Sequence, residues 1–325
     1  MKLDEIAKLA GVSRTTASYV VNGKGKQYRV SERTIEKVMA VVNAHNFKPN
    51  AVAAGLRAGR TNTIGLIVPD LENTSYAKIA TRFERQCRDH GMQLFISCSG
   101  DDPEQEKQCV KQLINRQIDA LVVATALLPQ DDFYQHVDVP LIGFDREISA
   151  PNAHNVLYDD CQDSAKLAST LWQKYTPRRV LFLGAKPELS ISQAREHGFM
   201  QSFSKYAKQS AVEHLYASEF TREAAEQLFQ QWLANNRLPD AVFVTSLSLL
   251  QGVLQTLLTH YGSLPSQLII ATFGDPAMLE LLPNPVLSAV QPYEKMAQYL
   301  MCTVKAKVHK YEQMQALTLT REIVY

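Results

Sequence analysis

Hydrophobic positions in the first sixty residues recur at the spacing of short helices. Leu3, Ile6, Ala7 and Ala10 lie at i, i+3, i+4 and i+7, one face of a helix whose first turn carries Asp4 and Glu5 where the positive dipole end favours acids. Gly11 follows and suits a left-handed C-terminal cap. A second helix is predicted after Ser13 as N-cap, with Ala17, Val20 and Val21 inward and Arg14, Thr15, Ser18, Tyr19 and Asn22 outward. A third, over residues 31–45, turns Ile35, Val38, Met39 and Val42 inward. Beyond Thr63 the pattern changes to short apolar runs between amphipathic stretches. Strands are expected over 64–68, 94–97, 120–124 and 141–144, then over 180–183, 212–215, 241–245 and 268–272, with a last one over 318–325. Such alternation implies parallel sheets covered by helices on both faces. Two series imply two doubly wound α/β subdomains, with a cleft between them at the carboxyl ends of their strands. The chain is expected to cross between them near residues 155–159 and 289–292, and again before the final strand.

A helix, a tight glycine turn, a second helix and a supporting third form the plan of a helix-turn-helix domain, whose second helix enters the major groove. The outward residues have suitable chemistry: Arg14 can pair with guanine, and Thr15 and Tyr19 can contact bases or phosphates. On the pattern alone, the same face also suits a merely solvated three-helix piece. Charge sharpens the picture. The net charge of +1 hides a split, with 11 Lys/Arg against 4 Asp/Glu in residues 1–60 and 23 against 29 in the remainder. A basic head on an acidic body is the asymmetry expected when only the head meets a polyanion.

Other classes fall away. The cysteines (Cys87, Cys98, Cys109, Cys161 and Cys302) are odd in number and lack a C-x-x-C pair, which argues for reduced thiols in a cytosol and against a disulfide framework or a zinc site. No apolar run approaches the ~18 residues of a membrane span. The N-terminus carries acids where a signal peptide would be apolar, so a cytoplasmic location is expected. There is no G-x-S-x-G elbow, no phosphate-loop motif and no G-x-G-x-x-G after a strand, so no enzyme activity and no cofactor are expected.

The run L-D-E-I-A-K-L-A-G-V-S-R-T-T-A-S-Y-V-V-N-G closely resembles the headpiece of the lactose/galactose-repressor family, and the resemblance continues through the chain, weakening after about residue 160. The long turn N-G-K-G-K-Q-Y-R-V-S and the stretch P-N-A-V-A-A-G-L-R-A-G-R-T look like its fructose-repressor subgroup. The resemblance implies a DNA-binding headpiece over 1–49, a hinge over 50–60 and an effector-binding, dimerising core over 61–325. That core would resemble periplasmic sugar-binding proteins, with one subdomain from 61–157 and 290–314 and the other from 158–289 and 315–325. The implied DNA contacts are Ser13, Arg14, Thr15, Thr16, Ser18, Tyr19 and Asn22, joined by Lys24, Lys26 and Arg29 on phosphates. In the hinge, Asn50 is a plausible N-cap and Leu56 stands where family members wedge a leucine into the minor groove of operator DNA. No heptad tail follows the last predicted strand, so a homodimer is favoured over a tetramer.

Effector contacts are expected just past strand ends: Asn73, Ser75 and Tyr76 after the first strand, Asp145 and Arg146 after the fourth, and Asp275 in G-D-P. Arg195 matches the family arginine that grips sugar hydroxyls. Each has a plainer reading, since a strand-end Asp is often a helix cap and a lone Arg often a surface ion pair. Ser246 and Leu247 stand where many family members carry an Asn-Asp pair that reads free sugars. Loss of that acid beside Arg146 and Arg195, with Arg321 as a possible third cation, favours an anionic ligand, and arginine forks match phosphate oxygens. The subgroup resemblance implies a phosphorylated fructose such as fructose 1-phosphate. The alternatives left open are a sucrose-type repressor answering to a free sugar and a sugar-binding protein with no regulatory action.

Overall fold

A computed structural model describes residues 1–47, 60–308 and 317–325 of the chain. They form two compact units, Met1–Asn62 and Thr63–Tyr325. The hinge candidates Asn50 and Leu56 lie outside the described residues.

The first unit holds α1 (Leu3–Ala10), α2 (Arg14–Val21) and α3 (Glu32–Ala44). Each boundary has a local cause. Gly11 closes α1 at φ +63°, where a residue with a Cβ would be strained. Ser13 starts α2 by accepting from the Thr16 N–H at 3.1 Å, and Ser31 starts α3 by accepting from Thr34 at 3.3 Å. Ile6, Ala10, Val20 and Val38 form the core, with Ile35 and Val42 partly buried against it. Met39, expected inward, is exposed. Three short helices bury only a narrow stripe of α3, and Met39 lies beside that stripe.

The second unit contains two six-stranded sheets. In the first, β1 (Thr63–Val68), β2 (Gln93–Cys98), β3 (Ala120–Val123), β4 (Leu141–Phe144) and β5 (Ala153–Tyr158) are joined by β11 (Leu317–Leu319) in the order β11-β5-β4-β3-β1-β2, all parallel. The second holds β6 (Arg179–Ala185), β7 (Ala211–Ala217), β8 (Ala241–Val244), β9 (Ile269–Phe273) and β10 (Val286–Val290), with β12 (Glu322–Val324) at its edge. Its order is β12-β10-β9-β8-β6-β7, and only the β10–β12 pairing is antiparallel. Both sheets reverse strand order beside their first strand, the switch point outside which α/β sheets bind ligands.

The helices α4 (Thr74–Asp89), α5 (Pro103–Asn115), α6 (Asp160–Tyr175), α7 (Ser190–Phe203), α8 (Arg222–Leu233) and α9 (Leu247–Tyr261) follow strands, as the alternation predicts. A last helix, α10 (Tyr293–Val308), leaves the second sheet after Val290 and packs on the first, where Met296, Leu300 and Val304 join Leu66, Phe83 and Val122. The chain therefore crosses between the lobes after β5, after β10 and between β11 and β12.

Two expectations are corrected here. The single strand over 318–325 is two strands, because Leu317–Leu319 pairs with β5 in the first sheet and Glu322–Val324 with β10 in the second. The allotment of 315–325 to the second subdomain thus fails for β11, and the last crossing lies between Leu319 and Glu322 rather than ahead of the strand.

Candidate functional site

In the first unit, Arg14, Thr15 and Asn22 are exposed on or just beyond α2, with Ser13, Thr16, Ser18 and Tyr19 beside them. Several of these side chains already have partners. Arg14 Nε lies 3.0 Å from Asp4 Oδ1 on α1, the Thr16 hydroxyl meets Ser13 Oγ at 2.8 Å, and Asn22 Nδ2 donates to the Ser18 carbonyl at 2.7 Å. The Arg14 pair is exposed and therefore weak, so a phosphate or guanine can take the arginine over. Lys24, Lys26 and Arg29 are exposed in the turn after α2. The same turn brings Tyr28 flat against Tyr19, ring centroids 3.8 Å apart, a pairing the sequence reading missed. It gives Tyr19 a fixed platform beside the outward face.

In the second unit, a cavity of about 330 Å³ opens between the lobes. From the first lobe it is lined by Asn73, Ser75, Tyr76, Asp145 and Arg146, all expected from the sequence. Arg195 and Ser246 reach it from the second lobe, as expected too. Asn73 caps α4 by accepting from the Ser75 N–H at 3.0 Å, and its own N–H donates to Asp70 at 2.6 Å. Ser246 caps α9, accepting from Leu249 at 3.3 Å. Thr221 caps α8 in the same manner and also lines the cavity. Three helix N-termini thus face one space, each with partial positive charge on its free N–H groups.

The charged groups are arranged in pairs. Tyr76 donates to Asp145 at 2.8 Å, and burial first, then the Asp145 charge, pushes the phenol well above its ordinary pKa. Asp145 sits at φ +61°, an uncommon backbone for a residue with a Cβ. Arg146 forms a forked pair with Asp101, and its Nη1 also donates to the Thr125 carbonyl at 3.2 Å. Arg195 lies over the Phe273 ring at 4.5 Å, with Nε on Asp160 at 2.7 Å and Nη1 on the Thr245 carbonyl at 2.7 Å. Its placement depends on Gly198, one turn further along α7. A Cβ there would come within 2.0 Å of the Cys161 carbonyl oxygen, so only glycine lets α6 and α7 approach this closely.

Two expected site residues are elsewhere. Asp275 does not line the cavity. Its carboxylate forms an ion pair with Lys78 of α4 and accepts from the Ala277 N–H at 2.9 Å, the cap role open to any strand-end Asp. Arg321 is no third cation at the cavity. Its side chain is fully buried at the crossing between β11 and β12, 3.0 Å from Asp160 and 2.9 Å from Asp163. Lining residues that the sequence reading passed over include Asp101, Phe220, Thr221, Thr245 and Gln291. The strand-end rule would have found Asp101 after β2 and Phe220 after β7 had it been applied to every strand.

A helix-turn-helix unit followed by a two-lobed α/β core with a small-molecule cleft defines a ligand-responsive DNA-binding regulator. Residues 2–50 match the family model for bacterial regulatory proteins of the lacI family, and residues 64–310 match a periplasmic binding protein domain. The chain belongs to the lacI family. It is 51% identical over 311 residues to the catabolite repressor/activator of Escherichia coli strain K12, covering 95% of this chain and 92% of that protein. It is 41% identical over 316 residues to the fructose operon regulatory protein of Vibrio cholerae, covering 96% of each. The crystal structure of the Cra transcriptional dual regulator from Pseudomonas putida, in complex with fructose 1-phosphate, superposes with a TM-score of 0.74 at 35% identity, covering 81% of this chain and 98% of that one. This chain is therefore a DNA-binding transcription regulator of sugar metabolism, and not an enzyme. Among the described residues no helix is long and apolar enough to cross a membrane.

Proposed function

We propose that this regulator grips a near-palindromic operator as a homodimer in the cytoplasm, where the DNA is, and weakens that grip when fructose 1-phosphate enters the cleft. The observation that carries the reading is the set of anion-binding groups gathered at the cavity: three capped helix N-termini with Arg146 and Arg195 around about 330 Å³. That volume lies at the small end of ligand sites, suited to a monosaccharide ester. The ester found in the Pseudomonas putida relative supports the same chemistry. No metal or cofactor enters this reading; the ester acts only by binding.

A ligand shifts the operator equilibrium only through unequal affinity for two core conformations. Moving the equilibrium from 1:99 to 99:1 takes about 5.5 kcal/mol of discrimination, within reach of a few charge-assisted bonds that form only when the lobes meet. Titration calorimetry with fructose 1-phosphate, free fructose and sucrose, paired with operator binding, tests the proposal. The ester is expected to bind and to release the operator, with neither neutral sugar doing so. Tight binding of sucrose or free fructose without the ester would overturn it in favour of a free-sugar regulator.

A further inference from the structure

Both lobes send a cation to one internal carboxylate. Asp101, just past β2, receives the fork of Arg146 from its own lobe. From the other lobe Lys186, just past β6, places Nζ 2.9 Å from Asp101 Oδ2 and 3.1 Å from the Asp101 backbone carbonyl. All three side chains are largely buried, with 15% of Asp101, 7% of Arg146 and 19% of Lys186 exposed. Asp101 and Lys186 both hold positive φ, +58° and +44°, which Lys rarely adopts and which persists only where surrounding contacts impose it. Arg146 Nε is buried without a hydrogen-bond partner among the described residues, so the guanidinium retains unmet donor capacity. The remaining acids on the cavity wall (Asp70, Glu72, Asp145 and Glu219) repel an entering anion, so cations that can be recruited there favour holding it.

We propose that Asp101 is a resident surrogate for the effector's phosphate: its carboxylate keeps Arg146 and Lys186 gathered across the cleft until a dianion displaces it and takes both. The inference rests on the reading of the cleft as a phosphate-ester site. It makes Lys186 a specificity-determining residue, because Lys186 is the cation that the second lobe contributes at this point. A phosphate with three oxygens and nearly two charges satisfies a guanidinium fork and an ammonium together, whereas a neutral hydroxyl cannot compensate for separating them from Asp101. Burial pushes the Asp101 carboxyl upward, but Arg146 and Lys186 outweigh it and hold the group below its ordinary range, so the exchange is between anions.

The test titrates the full-length protein with inorganic phosphate, fructose 1-phosphate and free fructose, followed by phosphorus NMR and calorimetry. Asp101→Asn, which keeps size and removes charge, is expected to bind both phosphates about tenfold more tightly, the scale of one charge-assisted bond. Lys186→Gln, which removes the second cation from Asp101, is expected to bind both about tenfold more weakly. Free fructose should respond to neither change. Equal or weaker phosphate binding by Asp101→Asn would overturn the proposal. The inorganic-phosphate arm separates the two readings: if Asp101→Asn gains there while no variant binds fructose 1-phosphate, the anion exchange stands and the effector assignment falls.

Discussion

Replacing Arg321 by Met removes a charge that is fully buried at the crossing between β11 and β12. The Arg321 side chain is fully buried, and its Nη1 serves Asp160 at 3.0 Å and Asp163 at 2.9 Å. Its guanidinium lies 4.2 Å over the Tyr158 ring and 5.4 Å from Phe273. The two carboxylates fare differently once it is gone. Asp160 keeps Arg195 at 2.7 Å, whereas Asp163, itself fully buried, retains only the backbone N–H of residue 321 at 3.0 and 3.1 Å. Methionine fills most of the volume, so the loss is electrostatic rather than a cavity. Removing one partner of a buried ion pair costs about 3–5 kcal/mol. At roughly 2–4 °C per kcal/mol for a unit of this size, the melting midpoint should fall by about 10 °C. Urea denaturation followed by circular dichroism measures the change directly. Adding Asp163→Leu should recover most of it, because an apolar pair of similar volume replaces the stranded charge. A single variant within ~1 kcal/mol of the parent would refute the argument. So would loss of ester binding without loss of stability, which would return Arg321 to the cavity.

Two further outcomes follow from the packing and the charges. Gly198→Ala should destabilise the core by about 1–3 kcal/mol and weaken ester binding, since a Cβ 2.0 Å from the Cys161 carbonyl must push α7, and Arg195 with it, away from α6; unchanged calorimetric affinity would contradict this. Acidification should loosen the cleft. Burial raises the carboxyls of Asp101 and Asp275, but their cation partners across the cleft, Lys186 and Lys78, with Arg146 on Asp101, hold both below the ordinary value of 3.8. Their stabilisation is present in full above that value and is lost as pH falls through the lowered folded values. Small-angle scattering and melting from pH 5 down to about pH 2, with Lys186→Gln flattening the decline, would show it.

The sequence was most readable where one face of an element settles its period. Strands such as Leu141–Phe144, buried along their whole length, stand out as apolar runs, and the headpiece helices carry their caps in Gly11, Ser13 and Ser31. Ala153–Tyr158 and Val286–Val290 did not stand out, because His154, Asn155 and Ser288 interrupt the apolar pattern while the backbone pairs with the neighbouring strand. Within the site, Asn73, Tyr76, Asp145, Arg146, Arg195 and Ser246 were legible from strand ends and family resemblance together. Asp275 and Arg321 were not, since their roles depend on partners far away in the chain: Lys78 for one, Asp160 and Asp163 for the other. The short separation between β11 and β12 hid a change of sheet that reverses the surroundings of Arg321 within three residues.

The crossing pattern also governs how the chain can fold as it leaves the ribosome. The sheet of the first lobe has its β5 edge open until Leu317–Leu319 arrives, roughly 160 residues after Tyr158. One of its faces is covered by α4 alone until Met296, Leu300 and Val304 are made. At about 5–20 residues per second, that is roughly 10–30 s during which five parallel strands present an unpaired edge. The second lobe, whose strands β6–β10 are contiguous in the chain, lacks only its edge strand β12 once Val290 is made, when the first lobe still lacks both α10 and β11. The lobe made first therefore spends the longer time incomplete, waiting for two elements from the far end of the chain.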